Sequence, residues 1–446
     1  MTTHILHRQT KTPMPVIAGG EGVFLIDDRG KRYLDGSGGA AVSCLGHGHP
    51  KIIQAIKDQL DKIAFAHTGF FTNQPAEDLA DRLCQGAPGD FGRVIFAAGG
   101  SEAVEAALKV ARQVHVERGD EQRSHIVSRR QSYHGATLAT TSVGYHAQRR
   151  KTYAPLLMTE CVSHIPPAYA YRLQRAGESG EDYGRRAARE LEDEILKVGR
   201  EKVSAFIAET VSGSTIGAVP PPPGYFREIR RICDKHGVLL ILDEVMCGMG
   251  RAGTLFACEQ DGVEPDIIAV AKGLGAGYQP IGATLVTSKL ADAIVQGSGA
   301  LQHGHTYMAH AAACAGSLAV QKVIEEDNLL PQVEKRGAQA MELLKEKFGQ
   351  HPHVGDIRGR GLFIGVEFVA DRETKEPFAP ELNVAGRLKT AAFENGLICY
   401  PSGGTADGTK GDHMLLAPPF IISESELEQL VGIFSKSLAQ VMDAVN

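Results

Sequence analysis

Short apolar runs recur along the chain, each ending in a glycine-rich or polar break and followed by apolar positions at helical spacing. The stretch "RVIFAAGGSEAVEAALKVAR" contains the whole unit. It opens with an apolar run, turns at Gly99-Gly100, and continues with Val104, Ala107, Leu108 and Ala111 three and four apart. "SHIVSRR" and "VSAFIAET" read as further strands. "GVLLILDEV" and "PDIIAVAK" are continuous branched runs, the pattern of parallel strands covered on both faces. "GYFREIRRICDKHG" predicts a crossover helix just before "VLLILDEV". Such alternation predicts an open α/β sheet with helices on both sides. Polar residues dominate 171–202, read as surface loop and helix, and the prolines at 220–223 require a loop, since they cannot donate to a ladder. After about residue 330 a long amphipathic helix, "LLPQVEKRGAQAMELLKEKFG", precedes an α+β tail.

Composition narrows the picture by exclusion. Apolar residues make up 43% and charged residues 22% of 446 positions, ordinary for a globular protein with a sizeable core. A net charge of −6 gives no basic footprint for nucleic acid. No apolar run reaches the roughly 20 residues of a membrane span. The start, "MTTHILHRQTKTPMP", lacks the apolar core of a secretory signal, and the eight cysteines are scattered without a C-x-x-C pair. The expectation is a cytoplasmic protein with reduced thiols.

In an open α/β sheet, ligands sit outside the carboxyl ends of the strands. Three candidate groups fall there: Ser101 after "RVIFAAGG", Asp243 at the end of "VLLIL", and Lys272 after "DIIAVA". The Gly100-Ser101 turn opens a helix whose free N–H groups and dipole could receive a phosphate. Each group alone has a plainer reading. Ser101 also fits a helix N-cap with Glu105 a turn later, Asp243 a cap or loop anchor, and Lys272 a surface lysine. Taken together, they match one cofactor. Pyridoxal phosphate needs a lysine for its aldehyde, a carboxylate for its ring nitrogen and N–H donors for its phosphate. The carboxylate keeps the ring nitrogen protonated, and the protonated ring withdraws electrons from the substrate carbon.

The stretch "LLILDEVMCGMGRAGTLFACEQDGVEPDIIAVAKGLGAGYQPIGA" resembles the signature of the class III (ω-) aminotransferases. "YLDGSGGAAVSCLGHGHP", "FAAGGSEAVEAALKVAR", "SYHGATLAT", "HGHTYMAHAAACAGSLAV" and "RGRGLFIGVEF" follow in the family's order, so the likeness spans nearly the whole chain. The resemblance implies a fold-type-I, pyridoxal-phosphate-dependent α/β enzyme. It implies a large, mainly parallel cofactor-binding domain over 50–330 and a smaller α+β domain built from 1–49 and 331–446. It also implies a ping-pong transfer of an amino group from an amine to an oxo acid. Lys272 would be the Schiff-base lysine and proton shuttle, and Asp243 the partner of the ring nitrogen. Val245 would press on one ring face while Tyr133, followed by His134 in the cofactor pocket, would stack on the other. Gly100 and Ser101 would hold the phosphate, joined by Thr306 from a neighbouring subunit of a homodimer, or of a tetramer of dimers, with shared sites. Glu209 would help position Asp243 and the ring, and the glycines behind Lys272 would let the backbone pass close to cofactor and substrate.

Departures from the family's pattern bear on the substrate. Ala98-Gly99-Gly100-Ser101 stands where Asn-Ser-Gly-Ser is common, and Thr210 where Pro is usual. Ser214 occupies the place of a gating glutamate, and Leu415 that of an arginine that clamps a carboxylate in ornithine- and 4-aminobutyrate-type members. "MCGMGR" and "GDH…APP" look more like the pyruvate-using ω-aminotransferases, many of which carry a mobile arginine about where Gly408 stands. Lys410 is the nearest cation left in "PSGGTADGTKGDH", whose glycines would let it swing toward an oxo acid. Pyruvate is therefore expected over 2-oxoglutarate. Other chemistry on the same scaffold (decarboxylation, racemisation, elimination, aminomutase reaction) and a non-catalytic cofactor-binding role are the alternatives. The pairs His47/His49 and His303/His305 lack a nearby Cys or Asp cluster, so no metal is expected, and "GLGAGY" lacks dinucleotide-binding order.

Overall fold

The computed structural model describes residues 3–445. Near the amino end, β1 (Ile17–Glu21), β2 (Phe24–Asp27) and β3 (Arg32–Asp35) form an antiparallel ribbon. The central sheet follows: β4 (Phe91–Ala97), β5 (His125–Arg129), β6 (Val162–Ile165), β7 (Val203–Glu209), β8 (Leu239–Asp243), β9 (Ile267–Val270) and β10 (Gly282–Thr287). Its spatial order is β4-β10-β9-β8-β7-β5-β6. Pairs β5–β6, β5–β7, β7–β8 and β8–β9 are parallel, whereas β10 runs antiparallel to both β9 and β4. The reversal follows from the connection, because 271–281 is too short to carry a helical crossover.

The continuous apolar strands are buried on both faces, as their sequence predicts. Alternation along β8 sends Leu240 and Leu242 to one side and Leu239 and Ile241 to the other. Leu240 and Leu242 share a core with Leu191 of the helix Gly180–Val198 and Phe226 of the helix Tyr225–His236. Ile241 meets Val104, Ala107 and Ala111 of the helix Gly100–Glu117. The stretch read as polar loop and helix thus supplies core residues as well, through Tyr183, Ala188, Leu191 and Ile195.

A second core draws on both ends of the chain. Val23 and Leu34 of the ribbon pack with Val333, Leu344 and Phe348 of the helix Leu329–Phe348 and Phe434 of the helix Glu424–Val445. A four-stranded sheet, β11 (Val354–Arg360), β12 (Phe363–Phe368), β14 (Tyr400–Gly403) and β15 (Asp412–Leu416), lies beside it, and the short β13 (Leu397–Ile398) joins β3 in parallel. Ile52, on the helix Pro50–Lys62, and Val320, on the helix Ala311–Glu326, also contribute to this core. Glu367, fully buried in β12, pairs with Arg358 and Arg172 and so ties the carboxyl-terminal sheet to the segment after β6.

Candidate active site

The carboxyl ends of the parallel strands converge on a cavity of about 460 Å³. Gly100, Ser101, Tyr133, His134, Glu209, Asp243, Val245 and Lys272 all line it. Thr306 and Lys410 do not. Thr306 is exposed in a turn, and Lys410 is exposed in a loop whose backbone is fixed locally, Asp407 Oδ1 accepting the N–H groups of Thr409 (2.8 Å) and Lys410 (2.7 Å).

Strand register explains the acid cluster. Glu209 ends β7 and Asp243 ends β8, and the two are direct partners across the parallel pair. Asp243 is held from two sides. Its Oδ1 accepts the N–H of Val245 at 3.0 Å, and its Oδ2 accepts from His134 Nδ1 at 2.7 Å. His134 is itself buried, with Nε2 facing Ser128 Oγ at 3.5 Å. Glu209 is similarly committed, accepting from the N–H of Tyr133 (3.1 Å) and of Gly213 (2.8 Å). Burial pushes its pKa up, and the neighbouring Asp243 adds to the rise against the pull of His134. Two carboxylates on adjacent strand ends therefore differ in accessory partners, and the histidine is bonded to Asp243 alone.

Lys272 follows β9 by two positions and is half-buried in the cavity, with φ at +46°. Desolvation lowers its pKa to about 8, although Asp243 and Glu209 pull in the opposite direction. That sign is the one an amine nucleophile requires, because only the neutral form attacks a carbonyl. The glycines behind it serve packing more than openness. A Cβ on Gly273 would meet Met249 Cβ at 3.1 Å and one on Gly275 the carbonyl of Gln279 at 2.8 Å, and of the three only Gly277 lines the cavity.

The turn before the helix Gly100–Glu117 corrects one expectation. Gly99 occupies the N-cap position, in extended conformation, and Ser101 lies in the first turn. The Ser101 hydroxyl instead accepts the N–H of Ala136 at 3.0 Å, and Glu105 accepts from Thr137 Oγ1 at 2.7 Å. The first-turn N–H groups have no intrahelical acceptor, and Gly99, Gly100 and Ser101 line the cavity. Gly100 is required by proximity, since a Cβ there would lie 2.7 Å from Val245 Cγ1.

These groups fit pyridoxal phosphate on their own chemistry: a cavity amine of lowered pKa, a fixed carboxylate opposite, and a donor-rich helix start with no room for a side chain. Residues 5–438 match the family Aminotransferase class-III. The chain belongs to that family. An uncharacterized aminotransferase of Schizosaccharomyces pombe is 46% identical over 431 residues, 97% of this chain and 94% of that one. Among solved structures, an (S)-enantioselective omega-transaminase from Thermomicrobium roseum superposes with TM-score 0.91 at 35% identity, covering 98% of this chain and 96% of the other. The omega transaminase of Pseudomonas jessenii, solved in complex with PMP, gives TM-score 0.92 at 32% identity over 98% and 97% of the two chains. This aminotransferase therefore has the fold of the pyridoxal-phosphate-dependent transaminases, and its family implies that cofactor.

The class III enzyme also contains site neighbours that no sequence motif singles out. Val42, from the amino-terminal segment, reaches the cavity wall, as do Met246 and Gln279. Arg149 stacks on the Tyr133 ring at 4.7 Å from a helix, Ala147–Tyr153, whose sequence "AQRRKTY" carries only polar surface character. Of the histidine pairs, His47 bonds Asp35 at 3.1 Å and His303 meets His305 edge to face. Among the described residues no helix is long and apolar enough to cross a membrane.

Proposed function

We propose that the enzyme binds pyridoxal 5'-phosphate in this cavity and moves an amino group from an ω-amino donor to an oxo acid, pyruvate, by a ping-pong mechanism. One observation carries the reading: Lys272, Asp243 and the Gly99–Ser101 turn line a single cavity at the strand ends. The chemistry supplied by the bound cofactor is an aldehyde for the amine and an electron-accepting ring. Lys272, its pKa lowered to about 8 by burial, would supply the amine that joins the aldehyde and would then carry a proton. Asp243, oriented by His134 and the Val245 N–H, presents a carboxylate to a ring nitrogen. Gly100 and Ser101 would receive the phosphate, Tyr133 and Val245 would bracket the ring, and Glu209 holds Tyr133 through its N–H. Leu415, fully buried in β15, favours an oxo acid with one carboxylate, because no arginine stands there for a second.

The quaternary reading is a homodimer, or a tetramer built from dimers, in which Thr306 completes the neighbour's phosphate site. The exposure of Phe70 (82%), Phe71 (67%) and Tyr307 (62%) supports a partner surface around that turn.

Purified holoenzyme is screened with amine donors against pyruvate and 2-oxoglutarate, counting amino acid formed per donor consumed. One-to-one transfer to pyruvate is expected, and carbon dioxide release or racemisation without transfer rejects the reading. Borohydride reduction should fix the cofactor to the Lys272 peptide, with capture of added cofactor by the stripped chain rising as pH passes through about 8. A label on another lysine overturns the assignment of the site.

A further inference from the structure

A second recess of about 340 Å³ adjoins the first, and Tyr133 and Gly135 line both. None of its twelve lining residues is acidic, whereas Arg8, Arg149 and Arg150 all border it. The three arginines differ in what they are free to do. Arg150 is committed to the fold, its Nη1 donating to the carbonyls of Thr141 (2.8 Å), Ser142 (2.7 Å) and Gly144 (2.7 Å). Arg8, on the amino-terminal segment, and Arg149 are both exposed. Arg149 has no hydrogen bond or ion pair among the described residues, and its guanidinium lies 4.7 Å from the centre of the Tyr133 ring. Stacking on an aromatic face orients the guanidinium while leaving its N–H fork open for a carboxylate. Its charge also reaches the reaction centre, since Arg149 is among the groups that lower the pKa of Lys272.

The loop bearing Lys410 touches the helix that carries Arg149. Gly408 packs toward the Arg149 helix, so that a Cβ there would lie 3.6 Å from Ala147 Cβ and 4.0 Å from Gln131 Cγ. Gln131 Nε2 in turn donates to the carbonyls of Gly404 (3.3 Å) and Thr405 (2.9 Å). The loop bearing Lys410 is thus pinned against the Arg149 helix, with a glycine at the contact and Lys410 exposed outside the cavity lining. Arg149 lines the recess and Lys410 does not.

We propose that Arg149 is the specificity-determining cation of this enzyme, receiving the carboxylate that an ω-amino donor carries at the end remote from its reacting amine. The recess shares Tyr133 and Gly135 with the first cavity but not Lys272, so the carboxylate it holds is separated from the reacting carbon by several bonds. A carboxylate adjacent to that carbon does not reach it. The proposal rests on the aminotransferase reading given above.

The test separates the two. Non-reacting pentanoate and pentanamide are titrated into holoenzyme by calorimetry, for wild type, Arg149→Met and Lys410→Ala. Met keeps an apolar stem against Tyr133 and removes the charge. Donor turnover is measured in parallel with 4-aminobutyrate and with butylamine, which lacks the carboxylate. Arg149→Met should weaken pentanoate binding by at least tenfold, leave pentanamide unchanged, and lower kcat/KM for 4-aminobutyrate by about 10²-fold while butylamine changes less than threefold. Arg149→Lys should restore part of the loss. Unchanged pentanoate affinity, no pentanoate binding by wild type, equal losses for both donors, or a selective loss in Lys410→Ala instead overturns the role of Arg149. Absence of transfer by wild type from every donor, with pentanoate binding still dependent on Arg149, overturns the aminotransferase reading and keeps the anion site.

Discussion

Asp243 shows how a residue type acquires a role from its partners. A carboxylate at a strand end is commonplace, but this one has both oxygens assigned, one to the Val245 N–H and one to His134. Orientation of that kind costs nothing further when charge develops, which is the condition for a large electrostatic contribution. Replacing Asp243 by Asn keeps the shape and removes the charge proposed to face the ring nitrogen. Loss of about 3–4 kcal/mol of transition-state stabilisation should lower kcat by roughly 10²–10³ with cofactor still bound. Near-normal turnover in Asp243→Asn would refute the role given to this carboxylate. The acid and the lysine were legible in the sequence because each follows a continuous apolar run, and such runs end at a sheet edge. The Asp243–His134 bond was not legible as a contact, since nothing in "SYHG" states which strand end the imidazole faces. Arg149 was invisible for a related reason: its position is set by packing of a polar helix on Tyr133, and no periodicity encodes that.

Elements meet at the site with little slack. The helix Gly100–Glu117 starts against the residue that follows β8 by two positions, and the gap between them admits no methyl group. A Gly100→Ala substitution therefore drives Val245 toward the cavity or the helix start away from it. Cofactor affinity should fall by about tenfold or more, at a cost of about 1–3 kcal/mol for overpacking. The double variant with Val245→Ala should recover much of that affinity in a fluorescence titration. Additive losses in the double variant would show that the two residues do not share the space. Strand and helix identities in this region agree with the hydrophobic pattern, whereas the cap does not. Ser101 carries the N-cap residue type, yet Gly99 takes the position and the serine hydroxyl bonds the loop after β5. Tertiary contact overrode local preference there. The direction of β10 also lay outside the pattern of apolar positions, and it follows from the length of one connection.

At the scale of the molecule, residues far apart in sequence share one cavity, and Thr306 remains outside it within a single chain. Two-fold symmetry makes any exchange of that turn reciprocal. Sedimentation should find a dimer or a tetramer. Mixing Lys272→Ala chains with Thr306→Arg chains should restore activity in mixed dimers, because one of the two sites collects both lesions and the other neither. An active monomer ends the idea. Both chain ends contribute to one core, which Ile52 and Val320 also join, and the helix Ala311–Glu326 serves the sheet through Ala313 and Cys314 and the second core through Val320.

The left-handed backbone of Lys272 sets function against stability. At φ +46° an L side chain costs about 1–2 kcal/mol relative to its relaxed conformation, a cost that glycine escapes. Burial of the amine adds a second cost, visible as its lowered pKa. For folding alone, a glycine is the better residue at this position. The cofactor-free Lys272→Gly chain should accordingly melt above Lys272→Ala, by about 1 kcal/mol after allowance for the greater freedom of glycine in the unfolded chain. Both should melt above the cofactor-free parent. Melting of Lys272→Gly below Lys272→Ala would mean that the backbone there carries no strain. The order Gly above Ala above Lys would mark the lysine as a residue retained at the expense of the fold, its strain offset only once the cofactor is joined to it.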